Sequence, residues 1–259
     1  MTLRVALMTS GPIGGAGVVL DRLTRVPQVE IACLIVSETI VAKRSRKKML
    51  QKIWKIGLLG ALNGIRIRKW FGHNMTTDAR EVAKAHGIPI VTVPRVNGDE
   101  TAAALRHYAP ELGISTGNGY IASRIFTIPA QGFINFHGEL LPEYPGAQSV
   151  IWPIYFGRTQ TGYTIHRIDK GIDTGAILYK RAVDIDFQPK LADTIRRTND
   201  KVREELPEAF AALLADWDTY AAAAAPQKAA RHFTTPTFRE YLRIERNHRR
   251  LRRESQCTD

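Results

Sequence analysis

The chain has 259 residues, of which 44% are hydrophobic and 24% charged, an ordinary globular composition that suits one domain with an appendage. Its two cysteines, Cys33 and Cys257, lie far apart and lack metal-ligand spacing, so we expect neither a disulfide framework nor a metal site. No stretch approaches the roughly 18 apolar residues of a membrane-spanning helix and no signal peptide is visible, which favours a cytoplasmic location.

The positive charge is concentrated in one segment. The net charge is +12, and ten Lys and Arg with no acidic residue lie between Lys43 and Lys69, so that segment carries all but two of the net charges. Apolar residues that include Trp54 recur there at roughly helical spacing. Residues 43–72 are therefore predicted to be a basic, amphipathic insert. Such a segment is most often a solvated face, but it also suits an anionic membrane or nucleic acid phosphates.

Strands and helices alternate along the first part of the chain. The predicted strands are LRVALMTS, VEIACLIVS, IPIVTVP, ELGISTGN, FINFHG, TGYTIHRID and GAILYKRAVDI. The predicted helices are Val18 to Leu23, the basic insert, DAREVAKAHG and GDETAAALRHYAP. This alternation predicts an α/β fold with a mostly parallel sheet flanked by helices. The turn GPIGGAG does not fit the dinucleotide pattern GxGxxG, so a nicotinamide site is not expected.

The C-terminal part has a different character. DTIRRTNDKVREELPEAFAALLADW is predicted to form one long amphipathic helix, and REYLRIERNHRRLRRE a charged terminal helix after a proline-containing connector. We therefore expect a catalytic domain at 1–187 and a small, mainly helical C-terminal extension at 188–259.

Three polar residues are spaced for acyl transfer. Asn135 and His137 lie two apart after an apolar run, so on a strand they share a face. Asp173 follows 36 residues after His137 in the turn Gly171-Ile-Asp-Thr-Gly175. A carboxamide, an imidazole and a carboxylate in one pocket can hold a tetrahedral oxyanion and move a proton. Taken alone, the Asn135 and His137 pair is more often a hydrogen-bonded strand end without catalysis.

The motifs around these residues resemble a known family. They are N-x-H-x-x-L-L-P over 135–142, Pro145-Gly146, T-G-x-T-I-H over 161–166 and D-x-G-I-D-T-G over 169–175. This set resembles the folate-dependent formyltransferases, which include glycinamide ribonucleotide, methionyl-tRNA and nucleotide-sugar N-formyltransferases. The resemblance implies a Rossmann-like fold, N10-formyltetrahydrofolate as formyl donor and no metal.

The resemblance also implies roles for individual residues. Asn135 and His137 would stabilise the oxyanion, and Asp173 would position a water or relay the proton. The residues expected to bind the folate are Gly117, Asn118, Gly119, Tyr120, Ile121, Leu141, Pro142, Lys170, Gly171 and Ile172. The residues expected near the acceptor substrate are Glu139, Tyr144 and His166. Gly138-Glu139 depart from the Pro-Ser of many relatives, and Glu139 is expected to face solvent unless it raises the pKa of His137.

The acceptor amine is the open question, and three family members compete. The preferred prediction is a nucleotide-linked amino sugar, such as GDP-perosamine, used for O-antigen or other surface (lipopolysaccharide) synthesis. The alternative is an aminoacyl-tRNA, as in methionyl-tRNA formyltransferases, and glycinamide ribonucleotide ranks last. A binding module without catalysis is a different class that the intact Asn135, His137 and Asp173 disfavour. Peripheral contact of 43–69 with an anionic membrane at its inner face, and a homodimer, are further expectations.

Overall fold

The fold is built on one seven-stranded sheet in the order β3-β2-β1-β4-β5-β6-β7. The computed structural model describes residues 2–38, 46–72, 75–146, 149–228 and 231–256, apart from the side chains of 46–53 and 55. The strands are β1 (Leu3–Thr9), β2 (Val29–Ser37), β3 (Ile90–Val93), β4 (Leu112–Thr116), β5 (Phe133–His137), β6 (Gln160–Arg167) and β7 (Ile177–Asp184). Strands β1 to β5 are parallel, and β6 and β7 are antiparallel to their neighbours. The predicted Rossmann-like α/β fold is confirmed.

Helices cover both faces of the sheet and form the C-terminal region. They are α1 (Gly15–Leu23), α2 (Arg46–Arg68), α3 (Ala79–Ala85), α4 (Asp99–Tyr108), α5 (Ser123–Phe126), α6 (Ile151–Tyr155), α7 (Leu191–Glu204), α8 (Leu206–Ala215), α9 (Trp217–Ala222) and α10 (Phe238–Gln256). A short 3₁₀ turn, Lys69–Phe71, follows α2. The described residues contain no helix that is long and apolar enough to cross a membrane.

The hydrophobic core consists of three clusters, which explains where each helix packs. One face of the sheet meets α1, α3 and α8, and the other meets α4 and α5. A third cluster joins α6 and α7 to Ile67 of α2 and to Tyr241 and Ile244 of α10. Cys33 is fully buried in the second cluster.

The predicted long C-terminal helix is wrong, because the chain breaks it twice. Pro207 lies in the first turn of α8, where a missing N–H is tolerated, and α7 ends just before it at Glu204. A second break at Asp216 separates α8 from α9. Helix α8 shares the first cluster with β1 and α1, so part of the predicted extension packs into the core of the sheet. The domain boundary at 187 stays a prediction.

The basic insert is partly described. Its predicted start, residues 43–45, lies outside the described residues. From Arg46 the segment is helical as predicted, with a break at Gly57, whose φ of 74° and ψ of 163° are not helical.

A close approach at Gly17 generates a stability prediction. A Cβ at this position would lie 2.1 Å from the backbone oxygen of Thr77, which cannot move away as a flexible side chain would. We expect Gly17→Ala to lower the free energy of unfolding by about 1–3 kcal/mol, measured by urea denaturation. Gly15→Ala in the same helix is the control, since its Cβ meets only Leu206 at 3.5 Å, and it is expected to leave stability unchanged or higher. Equal stabilities of the two variants would contradict the prediction.

Candidate active site

The sheet register brings four polar side chains together at one edge. Asn135 and His137 are on β5, and antiparallel pairing places His166 of β6 directly opposite Asn135. The turn after β6 then carries Asp173 back to the same edge. His137 Nδ1 lies 3.6 Å from Asp173 Oδ2, and His166 Nε2 lies 3.7 Å from Asp173 Oδ1. The carboxylate is therefore held between two imidazoles, and Asn135 Nδ2 is 3.4 Å from His166 Nε2.

Backbone carbonyls assign the tautomers of both histidines. His137 Nε2 donates to the carbonyl of Tyr144 at 2.9 Å, and His166 Nδ1 donates to the carbonyl of Arg167 at 2.8 Å. A carbonyl only accepts, so these nitrogens carry protons. The remaining nitrogens, Nδ1 of His137 and Nε2 of His166, face Asp173. Burial lowers the pKa of His166, so its imidazole is neutral near pH 7 and Nε2 can accept the Asn135 proton.

The turn that presents Asp173 depends on its glycines. Asp173 has a positive φ of 55°, an uncommon conformation for a residue with a side chain. A Cβ on Gly175 would lie 1.9 Å from the carbonyl oxygen of Arg167, so only glycine allows the turn to press against β6. The amide of Gly146 donates to Asp173 Oδ2 at 2.9 Å, which orients the carboxylate. The turn thus stores its strain at the functional carboxylate.

A cavity of about 230 Å³ opens beside these groups. Its lining residues are Ser115, Asn118, Gly119, Tyr120, Ile121, Asn135, His166, Ile168, Asp169, Gly171, Ile172 and Asp173. The walls are apolar around a polar base, which suits a flat heteroaromatic ring system. Six of the residues predicted to bind the folate line this cavity: Asn118, Gly119, Tyr120, Ile121, Gly171 and Ile172.

The other predicted folate residues lie elsewhere. The carbonyl of Lys170 accepts from the Tyr120 hydroxyl at 3.5 Å, at the rim of the cavity. Leu141 and Pro142 line neither this cavity nor the next, and Leu141 is fully buried. Gly117 lines a second cavity instead, on the other side of the loop after β4.

The second cavity has a volume of about 370 Å³ and meets the glycine-rich turn after β1. Its lining residues are Gly11, Ile13, Gly15, Ala16, Phe71, Thr116, Gly117, Phe136, Gly138, Ser149, Asn199, Val202, Arg203 and Leu206. Two of its polar atoms, Nη1 of Arg203 and Oγ1 of Thr116, are buried without a hydrogen-bond partner among the described residues. Burial lowers the pKa of Arg203, which remains a cation at any physiological pH. Nη2 of Arg203 donates to the carbonyl of Phe71 at 3.3 Å, which leaves the buried Nη1 free for another acceptor. A guanidinium with a free N–H beside the amino end of α1 is a favourable place for an anion.

Glu139 is buried, so the prediction that it faces solvent is wrong. Only 3% of its surface is exposed, and its carboxylate accepts from the amides of Leu140 and Val150 and from the hydroxyl of Thr161. Burial raises the pKa of Glu139 to about 8 although these donors favour the charged form. The side chain lines neither cavity, and it holds the loop after β5 to α6 and β6 instead of contacting solvent or substrate.

Tyr144 contributes to the site through its backbone. Its carbonyl orients His137, while its ring packs against Phe156 and Phe233 and lines neither cavity. The predicted side-chain contact with substrate is therefore not supported by the geometry. His166, the third residue predicted near the acceptor, lines the first cavity beside Asp173.

Several residues of the site were missed in the sequence. Asp169 accepts from the amide of Gly171 at 2.9 Å and the hydroxyl of Thr174 at 2.7 Å, which stabilises the turn. Its place in the motif D-x-G-I-D-T-G could have marked it. Arg203 and Asn199 are one turn apart on α7 and carry no such signal. Among the described residues, no group of three or more His, Cys, Asp or Glu could hold a metal ion.

Comparison with known proteins places this geometry in context. The family model described as formyl transferase matches residues 67–213. A methionyl-tRNA formyltransferase from Pelobacter propionicus is 39% identical over 117 residues, which is 44% of this chain and 37% of that protein. The chain therefore matches little more than a third of the length of this curated relative.

Solved structures share the fold at low identity. A phosphoribosylglycinamide formyltransferase from Bacillus halodurans aligns with a TM-score of 0.57 and 21% identity, over 83% of this chain and 94% of that one. The sugar 3N-formyl transferase WlaRD, crystallised with dTDP and 5-N-formyl-THF, aligns with a TM-score of 0.51 and 17% identity, over 90% of this chain and 70% of that one.

The buried Glu139 predicts how stability depends on pH. Its folded pKa of about 8 lies above the ordinary value of 4.5, so the folded state keeps a proton that the unfolded chain releases between these values. The melting temperature should therefore fall as pH rises from about 5 to 8 and level off above it. Glu139→Gln, which cannot ionise, should flatten this slope, whereas Glu100→Gln at an exposed position should not. Parallel melting curves of wild type and Glu139→Gln against pH would exclude the effect.

Proposed function

Because the chain belongs to the formyl transferase family, we propose that it transfers a formyl group from N10-formyltetrahydrofolate to the amine of a nucleotide-linked amino sugar. The observation that supports the reaction is the position of Asp173 between the imidazoles of His137 and His166, with Asn135 alongside. In the proposed reaction the amine bonds to the formyl carbon and the bond from that carbon to the donor nitrogen breaks.

Asn135 is the neutral donor of the site. Its Nδ2 lies beside the cavity and contacts His166 Nε2. One of its N–H groups can exchange this contact for a hydrogen bond to the oxygen that becomes negative when the amine attacks. A carboxamide donates at any pH and cannot lose its proton to the oxyanion. His137 would support the same charge through Nδ1, the nitrogen that faces Asp173, because Nε2 is committed to the carbonyl of Tyr144. These are the donors that acyl transfer requires.

Asp173 is the proposed proton acceptor. The attacking amine must lose a proton, and the Asp173 carboxylate lies 3.6 Å from His137 Nδ1 and 3.7 Å from His166 Nε2. A proton accepted there can move to the nitrogen of the leaving folate without passing through bulk water. The amide of Gly146 keeps the carboxylate oriented throughout.

The first cavity is the proposed folate site. Tyr120, Ile121, Ile168 and Ile172 supply apolar walls for a pterin ring, and the loop 117–121 and the turn 169–173 supply backbone polar groups. The donor's formyl carbon would then lie near Asn135 and Asp173, which line the base of this cavity.

The second cavity is the proposed acceptor site. It lies on the other side of Gly117 from the first, and its Arg203 and Thr116 present buried polar atoms without partners. Phosphate oxygens of a nucleoside diphosphate would accept hydrogen bonds from both atoms and from the amides at the amino end of α1. This match between the free Nη1 of Arg203 and a phosphate oxygen supports a nucleotide-linked substrate. Surface polysaccharide synthesis at the cytoplasmic face of the membrane and GDP-perosamine as the sugar belong to the same proposal.

Aminoacyl-tRNA is the second candidate acceptor, because the sequence relatives carry the name methionyl-tRNA formyltransferase. We favour the sugar, because the second cavity offers polar groups that suit a nucleoside diphosphate.

Substitution of the oxyanion donors tests the catalytic assignment. Asn135→Ala and His137→Ala are each expected to lower kcat by about 10²–10³ with folding unchanged, because one stabilising donor is lost in the transition state. The measurement is formyl transfer from N10-formyltetrahydrofolate, with circular dichroism to verify folding. Full activity in both folded variants would remove these residues from the mechanism.

The acceptor is tested by a panel together with a variant in the second cavity. Charged initiator tRNA and nucleotide-linked 3-amino and 4-amino sugars are offered with the same formyl donor. We expect sugar formylation, and Arg203→Gln should raise KM for the sugar about 10–100-fold with little change in KM for the folate.

Arg196→Gln is the matched control, because Arg196 lies on the same helix, exposed and paired with Asp193. It should leave both KM values unchanged. Turnover of the tRNA alone would overturn the sugar proposal while leaving the formyl-transfer assignment intact. An unchanged KM for the sugar in Arg203→Gln would remove the second cavity from acceptor binding.

A further inference from the structure

Exposed apolar side chains are concentrated on two neighbouring helices. The described residues leave eleven large apolar side chains exposed, and seven of them lie on α2 and α10. On α2 they include Leu58, Leu62 and Ile65, which follow each other at the four- and three-residue spacing of one helix face. Leu58 is 68% exposed and Leu62 is 56% exposed. We name this row the apolar stripe of α2, and no core residue of the described chain covers it.

Exposed cations form a matching row on α10. The arginines Arg246, Arg249 and Arg253 share one face of this helix with Leu242, by the same spacing. All four side chains are exposed, and Arg249 forms an ion pair with Glu245 at 3.8 Å. We name this row the cationic stripe of α10.

Helix α2 and the cationic stripe form one groove. Arg66 of α2 lines this shallow groove of about 480 Å³ together with Tyr241, Glu245 and the whole cationic stripe of α10. Arg66 lies one helical turn after Leu62, so the groove is next to the apolar stripe. The opposite face of α2 is occupied, since Gly60 and Gly64 pack closely against residues 235–238 and Ile67 lies in the third hydrophobic cluster. The packing therefore leaves the apolar and cationic rows side by side and directed outward.

We propose that this joint surface of α2 and α10 binds an anionic lipid membrane. A lipid surface offers both kinds of contact: acyl chains for Leu58, Leu62 and Ile65, and lipid phosphates for Arg66 and the cationic stripe. Trp54 lies before the break at Gly57 and is 91% exposed, and its side chain is of the kind that prefers the boundary between these two environments. The helix lies on the membrane and does not cross it.

Other occupants fit this surface less well. A nucleic acid would pair with the arginines but would leave the aliphatic stripe against phosphates and sugars, without aromatic rings for its bases. A second copy of this chain would cover the leucines but would bring two cationic stripes together, in a chain whose net charge is already +12. Both remain as outcomes of the test.

The exposed tryptophan gives a direct signal for binding. The chain has four tryptophans, and the other three, Trp70, Trp152 and Trp217, are at most 7% exposed. The emission of the purified full chain should therefore shift to shorter wavelength when vesicles of phosphatidylglycerol and phosphatidylcholine are added. Trp54→Phe should abolish the shift, pure phosphatidylcholine should produce little, and high salt should reduce it.

Variants of each stripe separate the apolar and electrostatic contributions. In vesicle co-sedimentation, Leu58→Ser with Leu62→Ser should weaken binding by at least about tenfold. Arg246→Gln with Arg253→Gln should weaken vesicle binding by about 30-fold, because each cation near an anionic bilayer contributes a similar share of the binding free energy. Lys84→Gln with Arg106→Gln is the matched control, because these exposed cations lie on α3 and α4, on the far part of the sheet. This pair should bind like the wild type.

Four results would contradict membrane binding by this surface. The proposal is wrong if wild type does not bind anionic vesicles, or if the control pair loses as much affinity as the arginine pair, which would indicate nonspecific charge attraction. It is also wrong if Leu58→Ser with Leu62→Ser instead converts a dimer to a monomer in sedimentation analysis, or if duplex RNA competes fully with the vesicles through the same arginines. Formyl transfer in solution should be unchanged in all these variants, so this inference can fail without the proposed function.

Discussion

The antiparallel pairing of β6 with β5 is the constraint on which the site depends. Five parallel strands would leave Asn135 and His137 at the sheet edge without partners from the next strand. Because β6 runs in the opposite direction, His166 lies across from Asn135, and the chain leaves β6 close enough for Asp173 to return to the same edge. The positive φ of Asp173 and the close packing of Gly175 against Arg167 complete this return. The antiparallel direction of β6 thus brings together four polar groups from three chain segments.

A second constraint is the buried carboxyl of Glu139. It joins the loop after β5 to the start of α6 and to β6, through the amide of Val150 and the hydroxyl of Thr161. The same loop supplies the carbonyl of Tyr144 to His137 and the amide of Gly146 to Asp173. The groups that orient the catalytic side chains therefore lie on a loop that an ionisable residue in the core holds in place. The protonation of this residue is expected to affect the stability of the fold.

The two cavities divide the proposed reaction between them. They are separated by the loop after β4, in which Gly117 borders one and Asn118 the other. One side is suited to a flat ring and the other to an anion, so donor and acceptor would approach the polar cluster from different directions. The surface of α2 and α10 lies on the third hydrophobic cluster, apart from the strands that carry the catalytic groups. Reaction and location on a surface are thus separate properties of this fold.

The sequence by itself determined the α/β class, the strands, the charge of the insert and the spacing of Asn135, His137 and Asp173, because alternating apolar runs and short motifs act locally along the chain. It did not reveal that Glu139 is buried, that Leu141 and Pro142 lie away from the cavities, or that the C-terminal helix breaks at Pro207 and Asp216. Nor did it identify Arg203 as a cavity residue. Only the tertiary structure decided these points, since the burial of a side chain, a guanidinium N–H without a partner and the contact of two helices depend on which distant segments pack together.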